Sequence, residues 1–378
     1  MRLPPEWRLT TLAAAASLEP LSTQDAAPEL TFKALRADGG LQPLPDRAGR
    51  YARAQPGDTV LTRQGHVAGW AFKKVAIVPP SLRRLNVAST MQVVRPLSGI
   101  LPDWLYLWLS GEQTYQWVHE ALGGRASLTA EVLRAVPVPV APLDEQRRIV
   151  EILREHLSSL DRASRDARRA QERVDAWLQS LLRSVLSRGT EASFTDVFRV
   201  LPLPASSVEV RGATSEGHWP VVDQGEGAVV LRTDLEAAVF RGPLPVVVFG
   251  DHTRRIKLVR YEFAVGGSGV KLLAPNADLN PEFAYWAARA VSLPSRGYGR
   301  HFALLRSARF RTGGRVFQDE VVRRMDEAEA VVEASSRTFQ QVEERHSALR
   351  RALLEAAFSG QLTGQAFNLG RAEKSIAS

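Results

Sequence analysis

The sequence predicts an α+β chain with a pseudo-two-fold internal repeat: two tandem globular α/β modules separated by two long antiparallel coiled-coil helices. Three observations predict it. The segment Ser89-Thr90-Met91-Gln92-Val93-Val94-Arg95-Pro96 is echoed 179 residues later by Ser268-Gly269-Val270-Lys271-Leu272-Leu273-Ala274-Pro275, and Pro102-Asp103-Trp104-Leu105-Tyr106 by Pro281-Glu282-Phe283-Ala284-Tyr285 at the same offset. A second echo, offset by 172, relates Leu181-Leu182-Arg183-Ser184-Val185-Leu186-Ser187 to Leu353-Leu354-Glu355-Ala356-Ala357-Phe358-Ser359. Two further stretches carry a heptad pattern. A period this long is not that of a solenoid, so the chain reads as tandem modules.

Residues 1–142 form the first module. They are punctuated by Gly and Pro and carry short β-type runs at Thr59-Val60-Leu61-Thr62 and Met91-Gln92-Val93-Val94, with one helix expected near 102–121. The module closes on Val136-Pro137-Val138-Pro139-Val140-Ala141-Pro142, where alternating proline forbids helix and favours an extended strap. The first long helix is expected over 143–189. Its apolar seam runs through Val150, Leu153, Leu157, Leu160, Ser164, Ala167, Gln171, Val174, Leu178, Leu181 and Val185, in steps of three and four with Ser164 and Gln171 as polar interruptions. Gly189 is placed as a helix stop. Residues 190–316 return to the mixed texture, with strands expected at Pro245-Val246-Val247-Val248-Phe249 and Val270-Lys271-Leu272-Leu273. The second long helix, 317–362, has its seam at Met325, Ala328, Val332, Ser335, Phe339, Val342, His346, Leu349, Leu353 and Ala356. His346 at a seam position reads as a satisfied core histidine. Residues 363–378 are expected to be a flexible tail. Two such helices in one chain most simply pair with each other, antiparallel, holding the modules at opposite ends of a rod; homodimerisation through the seams is the alternative.

Composition sets the functional class. Apolar residues make up 44% and charged residues 24%, ordinary for a folded domain. The sequence has no cysteine, which excludes disulfides and thiolate metal sites and fits a reducing cytoplasm. The start, Met1 to Ala16, is too interrupted by Pro4, Pro5, Glu6 and Arg8 for a signal peptide, and no window approaches the roughly 18 apolar residues of a membrane span. The formal charge is +8, and only six of the 49 basic residues are lysines. Residues 144–188 hold ten Arg against eight acids, and 319–358 hold six against nine, so the basic excess lies on the globular modules. That distribution suggests a polyanion met by the modules rather than by the helices.

Enzyme motifs are missing. There is no phosphate-cradling Gly-rich loop with Lys, no dinucleotide fingerprint, no amino-methyltransferase tetrapeptide and no zinc-spaced histidine pair. Asp251-His252 lacks a nearby nucleophile and reads as a structural or DNA-contact element. The candidate DNA-binding residues are therefore the basic clusters. In the first module these are Arg63, Gln64, His66, Lys73, Lys74, Arg83, Arg84, Asn86 and Arg125, the last after two glycines. In the second they are His252, Arg254, Arg255, Lys257 and Lys271, followed by Arg296, Tyr298, Arg300 and His301. Arginines can pair with phosphates or guanine edges, glycines allow close backbone approach, and Tyr298 can stack. A run of surface arginines is also the ordinary solvated face of a protein; clusters in equivalent places of both modules favour the group.

The assembled pattern resembles the specificity subunit of type I restriction–modification systems. The likeness is carried by Leu3-Pro4-Pro5-Glu6-Trp7-Arg8, by the strap Pro137-Val138-Pro139-Val140-Ala141-Pro142-Leu143-Asp144-Glu145-Gln146-Arg147-Arg148-Ile149, by Val247 to Arg254 with Gly269-Val270-Lys271 and Arg296-Gly297-Tyr298, and by the tail Leu349 to Leu362. The resemblance implies a non-catalytic chain whose two target-recognition domains (1–142 and 190–316) each read one half of a bipartite double-stranded DNA site, with the helices as a ruler. It also implies two methyltransferase subunits docked on the helices and restriction subunits joining for cleavage. No cofactor is expected on this chain; S-adenosylmethionine belongs to the methyltransferases, ATP and Mg to the restriction subunits. One departure stands out: the second module has no Pro-rich strap with Glu-Gln, but Arg309-Phe310-Arg311-Thr312-Gly313-Gly314-Arg315-Val316-Phe317-Gln318-Asp319-Glu320. A related phage-defence methylation system, or a coiled-coil protein-interaction scaffold without DNA affinity, are the competing readings.

Overall fold

A computed structural model of the chain describes residues 3–35, 40–64, 72–209, 214–225, 231–294, 297 and 299–363. They fall into two compact units, residues 1–167 with 340–378, and residues 168–339. The first unit contains β1 (Arg8–Thr11), α1 (Leu12–Ala15), β2 (Ala16–Leu18), β3 (Ser22–Leu30), β4 (Leu44–Ala54), β5 (Thr59–Thr62), β6 (Val75–Ile77), β7 (Leu85–Val87), β8 (Met91–Pro96), α2 (Pro102–Leu109), α3 (Glu112–Leu122), α4 (Ala130–Ala135), β9 (Pro137–Val140) and the first part of α5 (Leu143–Leu186). The second unit continues α5. It then holds β10 (Thr190–Ala192), α6 (Phe194–Val197), β11 (Phe198–Leu201), β12 (Trp219–Val222), β13 (Arg232–Thr233), β14 (Val239–Phe240), β15 (Val246–Gly250), β16 (Ile256–Val259), β17 (Phe263–Val265), β18 (Val270–Pro275), α7 (Pro281–Arg289), α8 (Phe302–Ser307), β19 (Phe310–Thr312) and the first part of α9 (Arg315–Phe358). The tail of α9 belongs to the first unit.

The internal repeat is a repeat of topology. The first unit has an antiparallel sheet of order β2-β8-β5-β6, the second one of order β11-β18-β15-β16. Each unit also has a two-stranded ribbon, β1 with β9 and β10 with β19. The central strands are apolar without alternation because both faces are covered. On β5, Leu61 faces one core and Val60 the other; on β15, Val247 and Phe249 face one, Val246 and Val248 the other. Behind the sheet the units diverge. In the first, β3, β4 and β7 each pair with the other two; in the second, the order is β13-β12-β17-β14.

The helix expected near 102–121 is two helices, which is a correction. Gly111 is extended (φ −79°, ψ 152°), and the Thr114 hydroxyl donates to the Trp108 carbonyl at 2.8 Å across the break. The break lets α2 lay Trp104 and Trp108 into the core, where Phe358 meets both edge-on at centroid distances of 4.7 and 5.0 Å. Such aromatic pairs add about 0.5–1.5 kcal/mol each beyond their burial.

Both long helices have 44 residues, and α9 starts at Arg315 rather than 317. Within the first unit they pair antiparallel: Ser164 Oγ lies 2.8 Å from His346 Nδ1, and Asp161 meets Arg350 at 3.3 Å. Within the second, Gln171 bonds Ser335 and Ser336, each at 3.1 Å. The polar interruptions of the two seams therefore face each other, a device that fixes register. After α9, Gly360 takes a positive φ of 76°, and a Cβ there would sit 2.2 Å from the Pro4 ring, so glycine is required on both counts.

The missing second strap is supplied by different residues. β19 pairs with β10 through main-chain hydrogen bonds, as β9 pairs with β1, and these need no proline. Gln318 in α9 occupies the place of Gln146 in α5: each is the fourth residue of its helix and each is buried.

Candidate nucleic-acid interface

In both units some of the basic candidates lie at the connection between two corresponding strands: Arg63, Gln64, Lys73 and Lys74 in the first, His252, Arg254 and Arg255 in the second. In the first unit this is the connection from β5 to β6. The Arg63 amide donates to the Thr90 carbonyl at 2.9 Å, the Leu128 amide donates to the Arg63 carbonyl at 2.8 Å, and Gln64 bridges Ser127. In the second unit the turn from β15 to β16 does the same. The Asp251 amide donates to the Gly269 carbonyl at 2.7 Å, and the His301 amide to the Asp251 carbonyl at 2.9 Å. Residues far apart in sequence are thereby joined: Arg63 and Gln64 with the segment after Arg125, and His252 to Lys257 with Arg300 and His301.

Side-chain placement sorts the first-module candidates. Arg83, Arg84, Gln64 and Lys73 are exposed, and Arg63 is half-buried. Lys74 is tied down: its Nζ donates to the Leu35 carbonyl at 2.6 Å and the Phe32 carbonyl at 3.3 Å, and lies 4.2 Å from the Phe32 ring centre. Asn86 is fully buried, its amide donating to the Asp25 and Arg47 carbonyls at 2.8 and 2.6 Å, so it braces β3 and β4 rather than facing solvent. Arg125 caps the end of α3 through the Leu122 and Ala121 carbonyls while remaining exposed. His66 lies outside the described residues.

In the second module Arg254, Arg255 and Arg300 are exposed, while His252, Lys257 and Lys271 are half-buried. Arg254 has φ +62°, a left-handed conformation that costs a non-glycine residue about 1–2 kcal/mol. Its amide donates to the Gly250 carbonyl and its guanidinium to the Leu293 carbonyl, which hold it there. Lys257 lies 3.5 Å from Asp223, and Lys271 sits over the Phe302 ring at 5.7 Å. His301 is fully buried, a turn-building residue and not a surface one. Arg296 and Tyr298 lie outside the described residues.

Asp251, also buried, is the hub. One carboxylate oxygen accepts from the amides of His301 (2.8 Å) and Phe302 (2.7 Å), capping α8. That oxygen is committed to backbone amides. Sequence reasoning missed Gln224. Its carbonyl oxygens accept from the His252 amide (3.2 Å) and the Thr253 hydroxyl (2.5 Å), and its amide donates to the Ser268 carbonyl at 3.2 Å. Its only signal is its place beside Gly225 in a turn-type run.

Beside the turn lies a cavity of about 540 Å³ lined by Gln179, Arg254, Arg255, Lys257, Tyr285 and Arg289, among others. Arg289 stacks 4.5 Å from the Trp286 ring centre and donates to the Tyr285 hydroxyl and to Glu329, each at 2.7 Å. Burial, chiefly, raises the Tyr285 phenol above its ordinary value. With its cationic wall, this site suits a polyanion rather than acid–base chemistry. No group of three or more His, Cys, Asp or Glu suited to a metal occurs among the described residues. No described helix is long and apolar enough to cross a membrane.

Residues 54–166 match the family model described as the type I restriction modification DNA specificity domain. This stretch of the chain is similar to type I restriction–modification DNA specificity domains. It contains β5 to β9 and every first-module candidate from Arg63 to Arg125. No curated protein matches the chain. Among solved structures, a chain from a study of complex assembly and conformational transition of the type I R-M system is 17% identical with a TM-score of 0.65, covering 96% of this chain and 100% of its own. That likeness shows a common fold. The HsdS subunit from Thermoanaerobacter tengcongensis (17% identity, TM-score 0.44, 96% and 99% coverage) and the type I S subunit from M. genitalium (13%, 0.37, 95% and 98%) are also similar.

Proposed function

We propose that the chain is the DNA-recognition subunit of a type I restriction–modification complex and is itself non-catalytic. Each module, 1–142 and 190–316, reads one half of a bipartite site, and the long helices set the gap and dock methyltransferase subunits, with restriction subunits joining for cleavage. S-adenosylmethionine would be held by the methyltransferases, and ATP and Mg by the restriction subunits. The observation that carries this reading is a connection anchored in the same way in both units. Between corresponding strands the first unit carries half-buried Arg63 and exposed Gln64 and Lys73, the second exposed Arg254 and Arg255, and equivalent main-chain bonds tie each connection to a second loop. Arginine-rich loops provide phosphate affinity with steep salt dependence, and a minority of side chains read base edges. The antiparallel pairing of α5 and α9 inside each unit favours the spacer role.

The test is methylation mapping of a methylation-free host that expresses the chain with its cognate methyltransferase. The expected result is a gapped two-part motif, one half changing when residues 1–142 are exchanged and the other when 190–316 are exchanged. Absence of DNA binding at low salt by the assembled complex would overturn the proposal in favour of a protein-interaction scaffold.

A further inference from the structure

Two buried glutamines hold the heads of the long helices. Gln146 is 0% and Gln318 is 3% exposed. The Gln146 side-chain oxygen accepts from the Leu101 amide at 2.9 Å, and its nitrogen donates to the carbonyls of Gly99 (2.9 Å) and Ala141 (2.8 Å). In the second unit the Gln318 oxygen accepts from the Asn280 amide at 2.7 Å, and its nitrogen donates to the Gly313 carbonyl at 2.9 Å. Leu101 and Asn280 each stand immediately before the proline that opens α2 or α7. One side chain thus ties together the helix head, the segment entering it and the helix that caps the module's core.

An amide accepts and donates at once, so each glutamine satisfies groups of both kinds from one point. A small slide of the helix head would stretch all of these bonds together. A buried polar network of this sort tolerates one geometry, whereas an apolar side chain of similar volume tolerates several.

We infer that Gln146 and Gln318 are positioning residues that fix the direction in which each long helix leaves its recognition module, and so restrict modification to a single gap length between the half-sites. The inference rests on the reading of the chain as a two-part DNA-recognition subunit. It concerns neither base contacts nor docking of the methyltransferase.

The test uses the full chain with its methyltransferase and compares methylated motifs for native protein, Gln146→Leu, Gln318→Leu and Leu101→Pro. Leu101 has φ −72°, already in the proline range, so the last variant removes the N–H that Gln146 accepts without touching the glutamine. In all three variants the half-site sequences stay unchanged. Methylation at gaps one base pair longer or shorter, relative to the native gap, rises about tenfold. A single native gap with lower total methylation would overturn the inference, leaving the glutamines as stabilising groups only. Failure of all three variants to fold would overturn it in the same way. If the native chain yields no two-part motif, the underlying function fails and the inference falls with it, an outcome distinct from a strict gap in the variants.

Discussion

Replacing Asp251 tests whether the second module's basic turn is built as described. In Asp251→Ala the Phe302 amide loses its acceptor outright, while the His301 amide keeps the Asp251 backbone carbonyl at 2.9 Å. One orphaned amide costs about 1–3 kcal/mol, and loss of an N-cap costs about 0.5–2 kcal/mol. These describe the same lost bond, so the expected destabilisation is about 2 kcal/mol rather than their sum. Asp251→Asn retains an oxygen in place and exchanges a charge-assisted bond for a neutral one, so about half the loss is expected. Urea unfolding of the full chain followed by tryptophan fluorescence, with hydrogen exchange read at Phe302, measures both. The Phe302 amide should lose protection in the alanine variant and keep most of it in the asparagine variant. Equal stability of the two variants, or undiminished protection of Phe302 in Asp251→Ala, would refute the capping role and with it the account of how the two second-module clusters are joined.

Phe358→Ala should cost about 3–5 kcal/mol in urea unfolding, because it empties the space between Trp104 and Trp108. Arg84→Ala and Arg300→Ala, both at exposed positions, should each flatten the slope of log affinity against log salt for the DNA complex by about 0.9 if they contact one phosphate apiece. Asp196 is held below its ordinary carboxylate value, first by the Ser193 side chain and then by the Ser193 backbone amide. A depressed folded-state value means the cap's contribution is present above the ordinary value and is lost as pH falls through the depressed one. Carboxylate titration by NMR should therefore show Asp196 moving upward toward its ordinary value in Ser193→Ala.

Much of this architecture is legible in the sequence, and the parts that are not share a cause. The long helices show because Val150, Leu153, Leu157, Leu178 and Val185 repeat at a spacing only a helix makes useful, and because Ser164 and Gln171 interrupt it where His346 and Ser335 answer. The sheet shows because Val246 to Phe249 are apolar in succession, the signature of a strand covered on both faces. Gly111 hid the division between α2 and α3, since a glycine after an apolar run reads equally as a helix stop or a passenger. Asn86, beside Arg83 and Arg84, looks like part of a polar surface; that its amide is spent on two carbonyls 39 and 61 residues away is a tertiary fact. Gln318 was masked by the loss of the prolines before it, although a main-chain ribbon needs none. Local patterns reveal periodic elements, whereas the partner of a single buried polar group depends on contacts the local sequence does not record.

The tail of α9 closes the core of the first unit, and this bears on the order in which the chain acquires structure during synthesis. The second unit is contiguous, residues 168–339, and every residue it needs has been added to the chain before the last helix is finished. The first unit must wait for Leu353, Leu354 and Phe358. At translation speeds of about 5–20 residues per second, the interval between residues 168 and 358 is on the order of 10–40 s. Through that time Trp104 and Trp108 lack the ring that covers them. The module made first is therefore completed last, its aromatic face open until Phe358 arrives.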